Sequence, residues 1–146
     1  MDVLRILNAA FFPIYYITAK RFLVIGHCME PELREGESVF INKIYYKLNK
    51  IQRNDIIGIK NNHKVEIKRI VGMPNDIISI SGNLILVNGK KIKENPKEQA
   101  QNNVQKLEVK LGEKEYYVLG DDYCPKCIDS RKYGPITKKQ IIGKVL

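Results

Sequence analysis

Histidine, cysteine and tryptophan are scarce in this sequence of 146 residues, which contains two His, three Cys and no Trp. The histidines are His27, directly before Cys28, and His63, which lies among turn-forming residues. Neighbouring residues of a strand point to opposite faces, so a catalytic pair of His27 and Cys28 would need a distorted backbone. A zinc site needs four ligands, and would have to combine Cys124 and Cys127 with Cys28 or the two separated histidines. We therefore predict no metal and no cofactor.

Acidic residues are in the minority. The 16 Asp and Glu stand against 25 Lys and Arg, which gives a net charge of +9. Such an excess favours a polyanion or an anionic lipid surface as partner. The interleaved aromatic and basic residues of RNA-binding modules are missing, and the basic residues are scattered over many segments. The sequence therefore predicts an anionic membrane, and no nucleic acid, as a partner.

No apolar run is both long and uninterrupted. Residues 1–19 come nearest to one, but they contain Arg5, Asn8 and Pro13, and they end at the pair Lys20-Arg21. A spanning helix needs about 20 apolar residues, so this segment could be a trimmed anchor or an interfacial helix. It could also be an amphipathic helix packed on the chain's own core. We predict residues 1–21 to be a membrane-associated segment with an apolar helix, and residues 22–146 to be one folded domain.

The rest of the chain has the pattern of an all-β protein. Short runs rich in Ile, Val and Tyr alternate with turn formers such as Asn88-Gly89. The predicted strands are Glu37–Ile44, Asp55–Lys60, Val65–Val71, Asp76–Ile80, Asn83–Val87, Lys106–Lys110, Tyr116–Leu119 and Ile141–Leu146. Residues 90–104 are polar and are predicted to be an exposed loop. The expected fold is two packed antiparallel sheets or a partly closed barrel.

Two side chains have the sequence context of a catalytic pair. Cys28 follows the apolar run Phe22–Ile25, so it should lie where a strand ends and the backbone turns outward. Lys68 lies inside the strand VEIKRIV, where loss of water would favour the neutral amine that a base requires. The plainer alternatives are a buried filler thiol and an exposed strand lysine.

Four sequence blocks, in order, resemble those of type I signal peptidases, the membrane-bound Ser/Lys proteases that cut signal peptides from exported proteins. The blocks VIGHCMEPEL, GESVFINK, KRIVGMPNDIISI and GDDYCPKCIDSRKYG resemble G-x-S-M-x-P-T-L, G-D-x-V-x-V-N-K, K-R-I-x-G-x-P-G-D and G-D-N-x-x-x-S-x-D-S-R-x-x-G. They cover nearly the whole chain after the N-terminal segment. The resemblance implies the family's β-rich catalytic core.

The resemblance also implies roles for individual residues. Cys28 stands at the serine nucleophile and Lys68 at the general base, while Gly26 and Cys28 stand at the oxyanion hole. The implied supporting residues are Cys127, Asp129 and Arg131. The pockets for small side chains would be lined by Val24, Met29, Leu33 and Ile67. The implied substrates are signal peptides with Ala-x-Ala sites, cut by a domain on the extracytoplasmic side of the cell membrane.

Several positions depart from the family pattern. Cys28 replaces the serine, as a natural variant or an engineered change, and Glu32 and Asn75 replace Thr and Gly. Glu66 should share a strand face with Lys68, where a carboxylate would favour the charged ammonium. The last block is one residue longer than usual.

The Cys124 and Cys127 pair has more than one interpretation. A thioredoxin-like redox site would need a βαβ context, which the strand pattern does not predict. A local disulfide, on an oxidising side of the membrane, and two free thiols both remain open.

Three functions are compatible with the sequence. The first is a signal peptidase with a Cys/Lys pair. The second is a family member without hydrolytic activity that assists the assembly of exported subunits, for example pilins. The third, a self-cleaving repressor domain, is disfavoured because the N-terminal segment is apolar and no DNA-binding helix pair precedes the core.

Overall fold

Eleven strands make up most of the fold in the computed structural model, which describes residues 17–81, 84–94, 106–122 and 127–146. The strands, numbered in chain order, are β1 (Ala19–Leu23), β2 (Ser38–Asn42), β3 (Ile56–Asn61), β4 (Lys64–Gly72), β5 (Ile77–Ser81), β6 (Leu84–Val87), β7 (Lys90–Glu94), β8 (Leu107–Lys110), β9 (Glu115–Leu119), β10 (Ile136–Thr137) and β11 (Ile141–Val145). Two four-residue helices, α1 (Tyr45–Leu48) and α2 (Ser130–Tyr133), and a 3-10 turn at Lys138–Gln140 accompany them.

The strands form two antiparallel sheets. The first has the order β1-β2-β11-β3-β4-β9-β10, and the second has the order β7-β6-β5-β8. The all-β prediction of two antiparallel sheets is therefore confirmed, and each of the eight predicted strands is present, with ends shifted by a residue or two.

Two expectations need separate comment. The predicted loop at residues 90–104 is wrong in its first part, because Lys90–Glu94 is strand β7, which pairs with β6; residues 95–105 lie outside the described part of the chain. The predicted N-terminal helix falls largely on residues 1–16, which are also outside it. No helix among the described residues has the length and apolar character needed to span a bilayer.

Strand β4 connects two apolar cores because its alternate side chains face opposite ways. Ile70 belongs to one cluster, with Tyr46, Ile57 and Val118, on one side of the large sheet. Val71 belongs to another, which joins residues of both sheets: Val71, Ile78, Ile85, Val87, Leu111, Tyr117 and Leu119. This second cluster is the seam along which the two sheets pack.

Asparagine supplies the left-handed residue in four of the turns. Asn54, Asn62, Asn75 and Asn88 all have positive φ, and asparagine is one of the few residues other than glycine that adopts this conformation readily. Asn75, with φ of 70°, replaces a glycine of the family pattern. The replacement is therefore compatible with the same turn.

Candidate active site

A compact loop carries Cys28. The backbone pairing of β1 continues past its end, since the Val24 N–H donates to the Glu37 carbonyl at 2.8 Å. The chain then turns at Gly26, where φ is +83°, and the Leu33 N–H donates to the Met29 carbonyl at 2.9 Å. Met29 is buried and holds the loop against the core, while Cys28 is a half-buried free thiol. Cys28 thus lies just beyond a strand end, as predicted.

The segment after β9 fixes the position of Cys28. The Asp122 N–H donates to the Cys28 carbonyl at 3.0 Å. Gly120 packs directly on the same residue, because a Cβ atom at position 120 would lie 2.5 Å from the Cys28 carbonyl oxygen. The loop that carries Cys28 therefore packs directly against the backbone of residue 120, where there is room for glycine but not for a side chain.

Lys68 approaches from β4, where its register partner on β3 is Ile57. Only 4% of Lys68 is exposed, so it is one of the few buried charged residues. The alternative of an exposed strand lysine is excluded by this burial. Buried lysine amines are a recurrent type of general base in enzymes.

Cys28 and Lys68 line the same cavity, whose volume is about 640 Å³. Strands β1 and β4 are separated in the sheet by β2, β11 and β3, so the sheet must curl to bring their ends to one cavity. Predicted site residues that line it are Val24, Gly26, Cys28, Met29, Ile67 and Lys68. Lining residues without a predicted role include Leu23, Ile25, Lys64, Val65, Glu66 and Ile128.

Two predicted residues have other contacts. Leu33 is not among the residues that line this cavity; its backbone N–H closes the turn that carries Met29. The Gly26 N–H, which was expected to face a developing oxyanion, donates to Glu35 Oε1 at 3.0 Å.

His27 belongs to an ionic cluster at the surface of the loop. Its Nδ1 lies 2.8 Å from Glu30 Oε1, and its Nε2 lies 3.3 Å from Glu35 Oε2. The hydrogen bond to Glu30, together with the negative charges of Glu30 and Glu35, raises the pKa of His27 above its ordinary value. His27 is thus engaged by carboxylates, in agreement with the argument against a Cys/His pair.

Glu66 shares the cavity with Lys68, as the strand parity predicted. Its Oε1 accepts a hydrogen bond of 2.8 Å from Asn61 Nδ2. Burial raises the pKa of Tyr133, and the negative charge of Glu66 raises it further. This tyrosine therefore stays neutral at physiological pH. The carboxylate is therefore oriented in part by Asn61 at the end of β3.

Asp129 is the centre of a buried supporting cluster. It is fully buried, and its carboxylate accepts hydrogen bonds from the Arg131 N–H at 3.1 Å, Arg131 Nε at 2.9 Å and Arg131 Nη2 at 2.7 Å. The same carboxylate accepts from the Gly120 N–H at 3.2 Å. Hydrogen bonding to Asp129 raises the pKa of Arg131, so the guanidinium stays charged. Asp129 thus fixes Gly120, against which Cys28 packs, and Arg131 fixes Asp129.

Two further residues of the last block are buried. Cys127, whose supporting role stays a prediction, is 3% exposed, and Cys124 lies outside the described residues. Ser130, in the same block, accepts a hydrogen bond of 3.0 Å from the Val118 N–H and so ties α2 to β9.

An ion pair that had no predicted role connects the two halves of the site. Arg69 donates to both oxygens of Asp121, from Nε at 2.8 Å and from Nη2 at 2.6 Å. Arg69 directly follows Lys68, and Asp121 directly precedes Asp122, which binds the Cys28 carbonyl. Both residues lie in the recognised blocks, but only the fold places them together.

The all-β fold, with a thiol and a buried lysine on one cavity, is the type expected of a β-rich protease. The family described as "Signal peptidase, peptidase S26" matches residues 2–146, so the chain belongs to that family.

Relatives agree with this assignment. Signal peptidase I of Bacillus licheniformis is 35% identical over 136 residues, covering 84% of this chain and 72% of the relative. Signal peptidase I S of Bacillus subtilis is 32% identical over 133 residues, covering 84% and 72%. The crystal structure of a signal peptidase I from Enterococcus faecalis superposes with a TM-score of 0.54 at 26% identity, covering 67% of this chain and 97% of that one.

The contact between Gly120 and Cys28 leads to a test of the site. Replacing Gly120 by alanine should lower cleavage of a signal-peptide substrate by roughly 10²-fold, the cost of displacing a reacting group by about 1 Å. The new methyl group would force the Cys28 carbonyl away.

The matched control is Gly112→Ala, where the added Cβ would lie 3.3 Å from the end of the Glu115 side chain. That side chain can move, so the control should keep its activity. Equal activities of the two variants, measured by peptide cleavage, would mean that Gly120 does not position Cys28.

Proposed function

We propose that this protein cleaves signal peptides from exported proteins with Cys28 as nucleophile and Lys68 as general base. The observation that carries the proposal is that these two side chains, from separate elements, line one cavity. The burial of Lys68 keeps competing water away from the amine.

The chemistry follows from these two groups. The Lys68 amine takes the thiol proton, and the Cys28 sulfur attacks the carbonyl carbon of the scissile bond. The ammonium then gives this proton to the leaving nitrogen, and a thioester remains on Cys28. Lys68 next takes a proton from water, which hydrolyses the thioester and restores the thiol.

The developing oxyanion needs a hydrogen-bond donor. The backbone N–H of Cys28 is our candidate, because oxyanion holes commonly use the amide of the nucleophile itself. The Gly26 N–H can contribute only after Glu35 moves away, since it now donates to that carboxylate.

We propose that the residues lining the cavity recognise the substrate. Val24, Met29 and Ile67 present apolar surface beside Cys28, which suits the small side chains of an Ala-x-Ala site. Strand β1 is at an edge of its sheet, so an extended peptide can add to it by backbone hydrogen bonds. Leu23 and Ile25, which also line the cavity, are 60% and 85% exposed, and they offer apolar contact to such a peptide.

We further propose that residues 1–21 attach the protein to the cell membrane and that residues 22–146 work on its extracytoplasmic side. The apolar character of residues 1–19 and the net charge of +9 support this arrangement. Signal peptides reach the enzyme in the same bilayer.

The direct test is cleavage of a peptide that contains one Ala-x-Ala site by the purified protein in detergent. Mass spectrometry should find a single cut after the second alanine, and Cys28→Ala should abolish it. A protein that still cuts without Cys28 would contradict the assignment of the nucleophile.

Specificity gives a second expected result. Replacing the alanine before the cut by leucine should nearly abolish cleavage, because the walls must exclude large side chains by steric clash; an extra methylene in an apolar pocket changes binding by only about 1 to 3 kcal/mol. The comparison is the ratio kcat/KM for the two peptides. A peptide with leucine three residues after the cut serves as control and should be cut at the normal rate. Comparable rates for the alanine and leucine peptides would rule out Val24, Met29 and Ile67 as the specificity pocket.

A further inference from the structure

A second cavity, of about 430 Å³, lies in the large sheet and has a basic rim. It is lined by Lys43, Tyr46, Lys47, Lys138, Ile141 and Ile142. The three lysines are exposed, and Lys138 Nζ lies 3.4 Å from the Tyr46 carbonyl oxygen at the cavity. The isoleucines and the buried tyrosine supply an apolar floor. The cavity thus offers positive charge above and apolar surface below.

The positive charge of this cavity is not neutralised by the lining residues, none of which is acidic. Asp55 is bonded to Tyr46, but it is already paired, because Lys144 Nζ lies 2.7 Å from Asp55 Oδ1. The remaining oxygen of Asp55 accepts a hydrogen bond from the Tyr46 hydroxyl at 2.9 Å. An anion in the cavity would relieve the repulsion among three ammonium groups.

The position of the cavity indicates which anion is available. Ser38, at the start of β2, pairs with Leu23 near the active site, whereas Lys43 follows the other end of the strand, roughly 16 Å away at strand rise. At that far end, Asn42 is the partner of Ala19, the first residue of β1. The chain therefore enters the sheet beside Lys43, and the apolar residues 1–16 of the sequence come directly before this point.

We propose that the cavity of Lys43, Lys47 and Lys138 binds the phosphate of an anionic phospholipid headgroup, with the apolar floor receiving the adjoining glycerol and upper acyl atoms. Leu48, which is 62% exposed on the same short helix as Lys47, adds apolar surface beside it. This site is separate from the cavity of Cys28 and does not require that cavity to be catalytic.

The test compares two triple variants of the full chain. One carries Lys43→Gln, Lys47→Gln and Lys138→Gln, and the other carries Lys90→Gln, Lys106→Gln and Lys110→Gln, on exposed parts of the smaller sheet. Both lose the same net charge. Each is measured by co-sedimentation with vesicles of phosphatidylcholine alone and with vesicles that contain phosphatidylglycerol.

The first triple variant should lose the preference for anionic vesicles on the order of a hundredfold, since each lysine at a membrane surface contributes about fivefold. In the second triple variant, the preference for anionic vesicles should fall by less than about fivefold. Binding to neutral vesicles, which we assign to the apolar N-terminal residues, should stay the same in both, and circular dichroism should confirm that both are folded.

Each other result overturns the proposal. Equal losses in the two triple variants would mean that net charge alone attracts the protein, and no loss in either would mean that these lysines are not used. If the first triple variant keeps its vesicle binding but loses binding of inorganic phosphate, measured without vesicles, the cavity holds a free anion instead of a lipid.

Discussion

Replacing Lys68 by methionine should lower the rate of peptide cleavage by about 10²- to 10⁴-fold, the range that loss of a general base costs. Methionine is close to lysine in length and is apolar, so it should fill the space that Lys68 occupies between β3 and the cavity. The loss should therefore come from the missing amine. It is measured as kcat with a saturating Ala-x-Ala peptide.

The control for this variant is Lys64→Met, on the same face of the same strand. Lys64 lines the same cavity but is exposed, so its replacement should leave kcat within about twofold of the original value, as for ordinary surface substitutions. The Cys28→Ser background sharpens the test, because a hydroxyl depends on its base more than a thiol does. A Cys28→Ser protein that cleaves equally well with and without Lys68 would refute the assignment of the base.

The second large effect concerns stability. Arg131→Ala should lower the free energy of unfolding by about 3 to 5 kcal/mol, the usual cost of leaving one partner of a buried ion pair alone. Asp129 is fully buried, and Arg131 supplies three of the hydrogen bonds that its carboxylate accepts. The backbone N–H of residue 131 would remain, but both guanidinium contacts would be lost. Urea unfolding, followed by circular dichroism, measures the change.

The neighbouring Lys132→Ala is the control, because Lys132 is exposed and its loss should change stability by less than about 0.5 kcal/mol. Combining Arg131→Ala with Asp129→Asn should recover part of the loss, since no unpaired charge is then buried. If Arg131→Ala is as stable as Lys132→Ala, the ion pair does not support the fold.

The strands were predictable because most of them are half-buried, and half-burial leaves an alternating pattern in the sequence. Strand β7 does not have this alternating pattern. Its sequence, Lys90–Glu94, is mostly charged and reads as a loop, yet it forms the edge of the smaller sheet. Charged residues are common at sheet edges, where they oppose pairing with other chains. Local composition therefore cannot distinguish such an edge strand from a loop.

The site was predictable to the extent that its chemistry lies in the sequence blocks. Cys28 and Lys68 were proposed from their blocks; both line one cavity, and their catalytic roles stay predictions. The contact of Gly26 with Glu35 and the pairing of Arg69 with Asp121 could not be read in the same way. These contacts join residues 9 and 52 positions apart, one within a loop and the other across two paired strands, so only the fold brings the partners together.

The place of β11 in the large sheet makes the closing of that sheet a late event in the synthesis of these strands. Strand β11 lies between β2 and β3, so it joins the hairpin that leads into the Cys28 loop to the hairpin that carries Lys68. The ribosome makes residues 141–145 after every other strand of both sheets. Until these residues emerge, β1 and β2 share no strand pairing with β3 and β4, and only the contacts of Gly120 and Asp122 with Cys28 join the two parts of the site.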